Sequence, residues 1–181
     1  MFTYVIDEEV SLRLFTENDT EEFYNLIIGS SNNFRKWISW IDDIKNKEDA
    51  SEFIKYYINE IIENGGYPKS VAIIYRGEIA GKIGFNEIDK ESKVGDIGYW
   101  LGEKFQGKGI MAKAFKTFID YGFKNLGLNR IEVYISIDNI KSRKLPERFG
   151  FKEEGVLRQS YWLYDHYEDL VVYGLLAKEW I

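Results

Sequence analysis

The chain has 181 residues, of which 45% are hydrophobic, 17% aromatic and only two are proline, a composition that buries a core and excludes an intrinsically disordered chain. It carries no cysteine and one histidine, His166, which excludes disulfides, thiolate metal sites, cysteine nucleophiles and any centre built from several histidines. A formal net charge of −6 argues against a general nucleic-acid binder and suits a cationic partner such as an amine.

The N-terminus, MFTYVIDEEV, has no basic segment ahead of a long apolar one, and no run of about 20 apolar residues occurs. Neither a secretory leader nor a membrane span is therefore expected, and the chain reads as cytoplasmic. SLRLF (11–15) alternates polar and apolar residues and predicts a strand. Asp19 followed by Glu22 predicts a capping box that opens a helix through Ile28. SNNFRKWISWI (31–41) is a short, aromatic, helical piece. The next segment runs at helical period with Phe53, Ile54, Tyr57, Ile58, Ile61 and Ile62 on one side, and Gly65 terminates it. SVAIIYRGEIAGKIGFNEID contains two β-rich runs around Arg76–Gly77, and VGDIGYWLG (94–102) adds a third, which predicts an antiparallel meander. After a glycine loop, Ile110, Ala114, Phe118 and Gly122 fall four apart on a helix that Gly127 stops. A strand (130–137), a helix opening at Asn139 or Ser142, and a strand pair (152–163, 167–176) complete one α/β domain spanning 1–181, with no linker or repeat.

The stretch GEKFQGKGI (102–110) nearly matches three phosphate-binding signatures, each placing backbone N–H groups at a helix N-terminus where the dipole favours an anion. A P-loop needs Ser or Thr after the lysine to hold Mg²⁺, and Gly109 stands there. A dinucleotide fold needs its first glycine directly after a strand, but Glu103, Lys104, Phe105 and Gln106 intervene and the preceding elements are antiparallel. The third signature, Gln106-Gly107-Lys108-Gly109-Ile110-Met111, sits in a wider pattern. IGYWLGEKFQGKGIMAKAF, the N-x-x-S of Asn139 and Ser142, the Gly150–Phe151 pair and the ending EGVLRQSYWLYDHYEDLVVYGLL resemble the GNAT superfamily, and within it the RimJ/RimL-type N-acetyltransferases. RLFTENDTEEFYNLI and NFRKWISWI resemble that family's first strand and helices, so the likeness covers nearly the whole chain.

The resemblance implies an α/β (α+β) fold: one GNAT domain with a mixed, mostly antiparallel sheet of about seven strands flanked by helices. It further implies a splay between the 97–101 strand and the 130–137 strand. The co-substrate would be acetyl-CoA, with no metal. Gly107 and Gly109 would let bare backbone approach its pyrophosphate, and the N–H groups of Gln106 through Met111 would bind phosphate oxygens. Met111 stands where relatives usually have a small residue, and its side chain is expected to turn into the core. Lys104, Lys108 and Lys113 either add charge near the phosphates or form a solvated basic face. Trp100, Leu101 and Gly102 would offer main-chain groups to the pantetheine arm, docked like an added strand. Gly98 marks a close ligand or bulge, or else relieves packing against an aromatic. Asn139 and Ser142 are good N-caps in their own right. In the resembling enzymes the asparagine binds near pantetheine and the serine near the sulfur, where it can protonate the leaving thiolate. Pro146 cannot donate to the Ser142 carbonyl, and a local distortion is expected there.

Direct attack on a thioester needs a neutral amine, and so a proton acceptor. Some RimL-like enzymes carry a glutamate where this chain has Tyr161, so that assignment does not transfer. Asp96, on a strand expected to line the cleft, is the preferred base, with Glu87 and Asp89 as other candidates. Freeing a neutral α-amine at pH 7 costs about 1 kcal/mol, against about 4 to 5 for a lysine or polyamine amine. The weak base therefore favours a protein N-terminal α-amine, as on ribosomal proteins, over a polyamine or an aminoglycoside; the missing glutamate at Tyr161 favours a non-catalytic acyl-CoA sensor, whereas the intact loop and Ser142 favour the enzyme. Trp37, Trp40, Glu87 and Tyr161 are the substrate-side candidates. Phe34 and Tyr57 read as helix-helix core, Asp42 and Asp43 suit a cationic acceptor, and His166 is either a proton relay or a structural turn residue. The aromatic-rich surface leaves room for a homodimer.

Overall fold

The computed structural model describes residues 3–181; Met1 and Phe2, where the N-terminal reading begins, lie outside them. Eight strands form one mixed sheet in the order β1-β2-β3-β4-β5-β6-β8-β7. These are β1 (Thr3–Val5), β2 (Val10–Arg13), β3 (Ser70–Tyr75), β4 (Glu78–Asp89), β5 (Val94–Leu101), β6 (Arg130–Ser136), β7 (Lys152–Leu163) and β8 (His166–Leu176). The strand beyond the seven expected is β1, three residues paired to β2 through Thr3 and Arg13. No helix among the described residues is long and apolar enough to cross a membrane.

Contacts cluster into two compact units, and the division falls inside β4, β5 and the helix after the glycine loop. The first comprises 1–84 and 99–117. Its helices are α1 (Thr20–Gly29), α2 (Ser31–Phe34) and α3 (Lys47–Glu63), joined by the opening half of α4 (Ile110–Lys124). The α1 entry differs from the capping box expected at Asp19 and Glu22. Asp19 reaches back to accept the Thr16 N–H at 2.8 Å and the Arg13 guanidinium at 2.7 and 2.9 Å. Glu22 instead accepts the Ile79 N–H of β4 at 2.5 Å. A neighbouring strand thus claims the carboxylate that local sequence assigns to the helix end.

Helix α3 buries Ala50, Ile54, Tyr57 and Glu60 rather than the whole predicted stripe, and Ile62 is 79% exposed. Glu60 is tolerated inside because it accepts from Ser70 Oγ at 2.9 Å and pairs with Lys69 at 3.1 Å. Past the Asn64 cap, Gly65 turns left-handed at φ 71° and stops the helix, as expected, with the Gly66 N–H reaching the Ile61 carbonyl at 2.8 Å. Against α1 and α3 lies an aromatic core. Phe15 stacks on Tyr57 at 5.1 Å, and Trp100 packs on Phe34 at 5.3 Å and Phe23 at 5.9 Å. Each such ring pair adds about 0.5–1.5 kcal/mol beyond the area it buries.

The second unit comprises 85–98 and 118–181. Here β5 pairs with β6 in parallel over only Val94–Asp96 and Arg130–Glu132, so the ladder opens after Asp96 as the resemblance implied. β6 pairs antiparallel with β8 along the full length of β6, and β7 with β8 through a hairpin whose turn residue Tyr164 has φ 58°. Ile131, Val133 and Ile135 alternate onto the buried face of β6, where the Phe85 and Phe118 rings meet at 5.0 Å. Helix α5 (Ile140–Arg148) runs as one α-helix through Pro146, whose missing N–H removes one bond of the ladder at the Ser142 carbonyl. Its end explains the Gly150–Phe151 pair. The Gly150 N–H bonds the Glu147 carbonyl and the Phe151 N–H bonds the Pro146 carbonyl, while the Phe151 ring buries beside the cap.

Candidate active site

The loop between β5 and α4 is shaped by two residues in the left-handed region, Gly107 at φ 77° and Gly109 at φ 74°. A Cβ built at either would meet nothing within 4 Å, so both face open space and it is the backbone angle that selects glycine. The first intrahelical bond of α4 runs from the Lys113 N–H to the Gly109 carbonyl at 3.3 Å. The N–H groups of Gly109, Ile110, Met111 and Ala112 precede it and have no carbonyl within the helix to meet. Gln106 behaves differently from its neighbours. Its N–H closes a turn on the Glu103 carbonyl at 3.2 Å, and its side chain ties Asn33 Oδ1 and the Leu101 carbonyl, each at 3.2 Å. Gln106 therefore braces the loop, and the N–H groups without an intrahelical partner come after it. Met111 is half-buried rather than turned into the core; Ile110 is the anchor, at 1% exposure.

The three basic side chains separate. Lys113 pairs with Asp7 at 2.6 Å, and its ammonium holds the Asp7 carboxyl down to about 2. Lys104 pairs with Glu78 at 2.6 Å. Lys108 lies over the rings of Tyr75 and Phe105, at 5.6 and 5.9 Å from their centroids.

Where β5 leaves the meander, Gly102 donates to the Ala80 carbonyl at 2.8 Å and the Leu101 carbonyl receives Gln106. Trp100 is 8% exposed within the aromatic core, so only its main chain can meet a ligand in this arrangement. Its indole N–H is buried with no hydrogen-bond acceptor among the described residues. Gly98 makes room for a polar neighbour rather than an aromatic: a Cβ there would stand 2.6 Å from the Asn86 amide oxygen.

In the second unit, the turn from β6 into α5 is fixed at several points. The Asn139 N–H donates to the Ser136 carbonyl at 2.9 Å, and Asn139 Oδ1 accepts the Ser142 N–H at 3.2 Å. Asn139 thus acts as the N-cap that its residue type suggests. Ser142 is half-buried in the first turn of α5. Arg143, beside it, donates to the Tyr173 hydroxyl and to the Ile137 carbonyl, each at 2.9 Å, and Tyr173 passes its own proton to Glu147 at 2.8 Å. This network anchors the serine's turn to β6 and β8.

A family model described as an acetyltransferase (GNAT) domain matches residues 9–152. The chain belongs to the GNAT acetyltransferase family. It is 33% identical over 99% of its length to "Putative ribosomal N-acetyltransferase YdaF" of Bacillus subtilis (strain 168), covering 98% of that protein. It is 30% identical to the ribosomal-protein-serine acetyltransferase of Escherichia coli (strain K12), over 95% of each chain. Among solved structures, the microcin C7 self-immunity acetyltransferase MccE, in complex with acetyl-CoA and AMP, superposes with a TM-score of 0.88 at 32% identity, over 94% of each chain.

For a GNAT acetyltransferase the groups that handle the acceptor and its proton matter next. Trp40 is half-buried against Phe53 at 5.1 Å and Trp100 at 6.3 Å, and Trp37 is half-buried at the end of the short α2 segment. Phe34 and Tyr57 are core residues. Asp42 is paired with Arg35 at 2.9 Å, and Asp43 is exposed. In the second unit, Asp96 accepts from Asn86 at 3.1 Å and sits opposite Glu132 at the last rung of the β5–β6 ladder. Glu132 is held by Arg130 at 2.7 Å and by the Tyr134 hydroxyl at 2.6 Å. Glu87 is exposed and alternates to the face opposite Asn86, so it does not join Asp96. Asp89 accepts the N–H groups of Glu91 and Ser92, both at 2.9 Å, and is a turn residue. Tyr161 is half-buried on β7, directly across from Glu168.

Glu168 was not singled out by the sequence reading. Its carboxylate receives the Ser136 hydroxyl, and its other oxygen lies 2.8 Å from His166 Nε2. His166 Nδ1 lies 2.7 Å from Asp165, and these two carboxylates raise the imidazole above its ordinary value. The signal in the sequence is the two-residue period of β8, which carries Glu168 and Leu170 on one face; the pairing of Leu170 with Ser136 cannot be read from it.

Proposed function

We propose that this GNAT acetyltransferase moves the acetyl group of acetyl-CoA onto a protein N-terminal α-amine, by direct attack within a ternary complex. The observation that supports the reading is the loop at Gly107–Gly109, two left-handed glycines with open space at their Cβ positions ahead of the N-terminus of α4, the kind of backbone an acetyl-CoA pyrophosphate requires. The relatives named for ribosomal-protein acetylation support the choice of acceptor.

In this reading Gly107, Lys108, Gly109, Ile110 and Met111 hold the pyrophosphate, with Gln106 bracing them. The main chain of Trp100, Leu101 and Gly102 receives the pantetheine arm. Backbone N–H groups polarise the thioester carbonyl. Asn139 holds the turn that presents Ser142, and Ser142 protonates the departing thiolate. Trp37 and Trp40 are the acceptor-binding candidates of the first unit, and in the second unit Tyr161 is the acceptor-binding candidate and Asp96 the candidate base. The whole chain acts as one catalytic domain in the cytoplasm. The reading has no covalent intermediate, because among the described residues His166 is bonded to carboxylates and not to a nucleophilic hydroxyl.

The test is CoA thiol release from acetyl-CoA against a panel of acceptors. Peptides with free N-terminal Ser, Ala or Met are expected to turn over. The same peptides N-blocked and carrying lysine, spermidine and an aminoglycoside are expected to be at least about tenfold poorer. Turnover confined to spermidine or the aminoglycoside would overturn the acceptor class, and acetyl-CoA binding without turnover on any amine would overturn catalysis itself.

A further inference from the structure

In the second unit, Ile131, Val133 and Ile135 of β6 alternate onto the buried side of the sheet, so Glu132, Tyr134 and Ser136 share the other side. The antiparallel registers carry that other side across two more strands. Tyr134 lies opposite Val172 and Ser136 opposite Leu170 on β8, and Val172 and Leu170 lie in turn opposite Gly155 and Leu157 on β7. Tyr134 and Leu157 are 37 and 44% exposed, and Leu170 and Val172 between them are half-buried. One apolar strip therefore crosses β6, β8 and β7 and meets water. At Gly155 a Cβ would meet nothing within 4 Å, so the strip is open there.

Carboxylates border the strip. Asp96 and Glu132 sit side by side at the last rung of the β5–β6 ladder, Glu154 reaches the Arg130 guanidinium, and Glu168 holds the Ser136 hydroxyl. The single charge of Arg130 serves both Glu132 and Glu154, and Lys152, at the start of β7, is paired with Glu179 instead. The border is thus negative. A second copy of the chain, itself at −6, would set carboxylates against carboxylates across a two-fold axis, whereas a cationic segment would meet its complement.

We propose that this face docks the stretch of acceptor polypeptide that follows its N-terminal residue, a stretch combining an apolar side chain with lysine or arginine. The inference rests on the acetyltransferase reading above and deepens it by naming what the acceptor carries beyond its amine. The strip is continuous with the turn that bears Ser142: the carbonyl of Ser136, at its edge, receives the Asn139 N–H at 2.9 Å, and Asn139 caps the serine's segment. Neighbouring strands lie about 4.8 Å apart, so β6 to β7 by way of β8 is about 10 Å. An extended chain advances about 3.3–3.6 Å per residue, so about three residues cross the strip. Apolar contact at Tyr134, Val172, Leu170 and Leu157 supplies affinity, and the carboxylate border selects a basic sequence.

The experiment uses a Ser-Ala dipeptide amide, a decapeptide that continues it with leucine and arginine, and the same decapeptide with glutamate in place of arginine. Wild type, L157K and L157S are compared by CoA release and by fluorescence anisotropy of each decapeptide labelled at its C-terminus. Leu157 is exposed, so both variants are expected to keep the wild-type unfolding midpoint. The arginine decapeptide should exceed the dipeptide at least about tenfold in kcat/KM and lose most of that margin in about 0.5 M salt, while the glutamate decapeptide should gain nothing over the dipeptide. L157K should raise the KM and the Kd for the arginine decapeptide about tenfold and L157S about threefold, with the KM for the dipeptide and for acetyl-CoA within about twofold of wild type. Equal kcat/KM for the two decapeptides, or a margin that L157K leaves intact, overturns the proposal. So does a wild-type dimer in sedimentation velocity that L157K makes monomeric, because the face then belongs to a second copy. If wild type turns over no amine yet binds the arginine decapeptide in a manner L157K abolishes, the acetyltransferase reading falls and the docking face stands. No binding of that decapeptide by wild type removes the docking face whatever the kinetics show.

Discussion

Tyr173 shows how much one buried polar atom can decide. Its ring is fully buried, and its hydroxyl links Arg143 to Glu147 beneath the turn that presents Ser142. Y173F is expected to lower stability by about 1–2 kcal/mol, because the loss leaves hydrogen-bonding groups on two partners unmatched. It should reduce kcat more than the KM for acetyl-CoA, as urea denaturation and steady-state kinetics on the same preparation would show. Asp7 gives a residue-scale effect of opposite location and clear sign. Its folded carboxyl is held at about 2 by Lys113, below the ordinary carboxylate value of 3.8. A depressed carboxyl contributes stability that is complete above its unfolded value and fades as pH falls towards the folded one. The window is therefore pH 4 to 2, and D7N should flatten the fall of the urea midpoint across that window while leaving it unaltered near neutrality.

At the scale of elements, the glycine loop separates two reasons for using glycine. Gly109 has φ 74° and open space where a Cβ would stand. G109A should cost about 1–2 kcal/mol of stability from the left-handed backbone alone, and asparagine, which tolerates that region, should recover most of it. If phosphate oxygens approach the bare backbone, G109N will regain stability yet bind acetyl-CoA at least about tenfold more weakly by calorimetry. Recovery of both would show that conformation is the whole reason. The loop was legible in the sequence because its motif is local, and the same holds for the Gly65 cap, the Arg76–Gly77 hairpin and the bounds of β7. What escaped was set by partners distant along the chain. Glu22 left the predicted capping box because the β4 backbone offered it an N–H, and Ile62 left the predicted stripe because Glu60 took a buried place with Ser70 and Lys69. Gly98 was legible as a close approach, but the Asn86 amide that approaches it was not.

For the molecule as a whole, the family and the succession of strands along the chain were readable from spaced motifs, whereas the sheet order β6-β8-β7 and the polar pairs across it were not. The bond from Ser136 to Glu168 appears only once β8 is registered against β6, and a side-chain period of two leaves that register open until the sheet is known. The division into two compact units runs inside β4, β5 and α4, so neither unit owns a complete set of secondary-structure elements. Unfolding is therefore expected as one transition. Trp40 and Trp100 report on the first unit and Trp162 and Trp180 on the second, so fluorescence of a W162F/W180F variant and far-UV circular dichroism should give coincident midpoints. Midpoints separated by more than about 0.3 M urea would count against a single domain.

The last strand in the sheet order, β7, is exposed along nearly its whole length, with Val156, Leu157 and Trp162 at 41, 44 and 51%. A long, flat, apolar border of this kind recruits stray chains and seeds fibrils. Here the border is neither flat nor continuous: the ladder slips between Glu153 and Gly155 and again between Leu157 and Tyr161, where Gln159 takes φ 50°. Charges at Lys152, Glu153, Glu154 and Arg158 line the same stretch. Straightening β7 by deleting one residue at the second slip should raise the fraction of the protein that precipitates during expression, as the pellet-to-supernatant ratio against wild type would show.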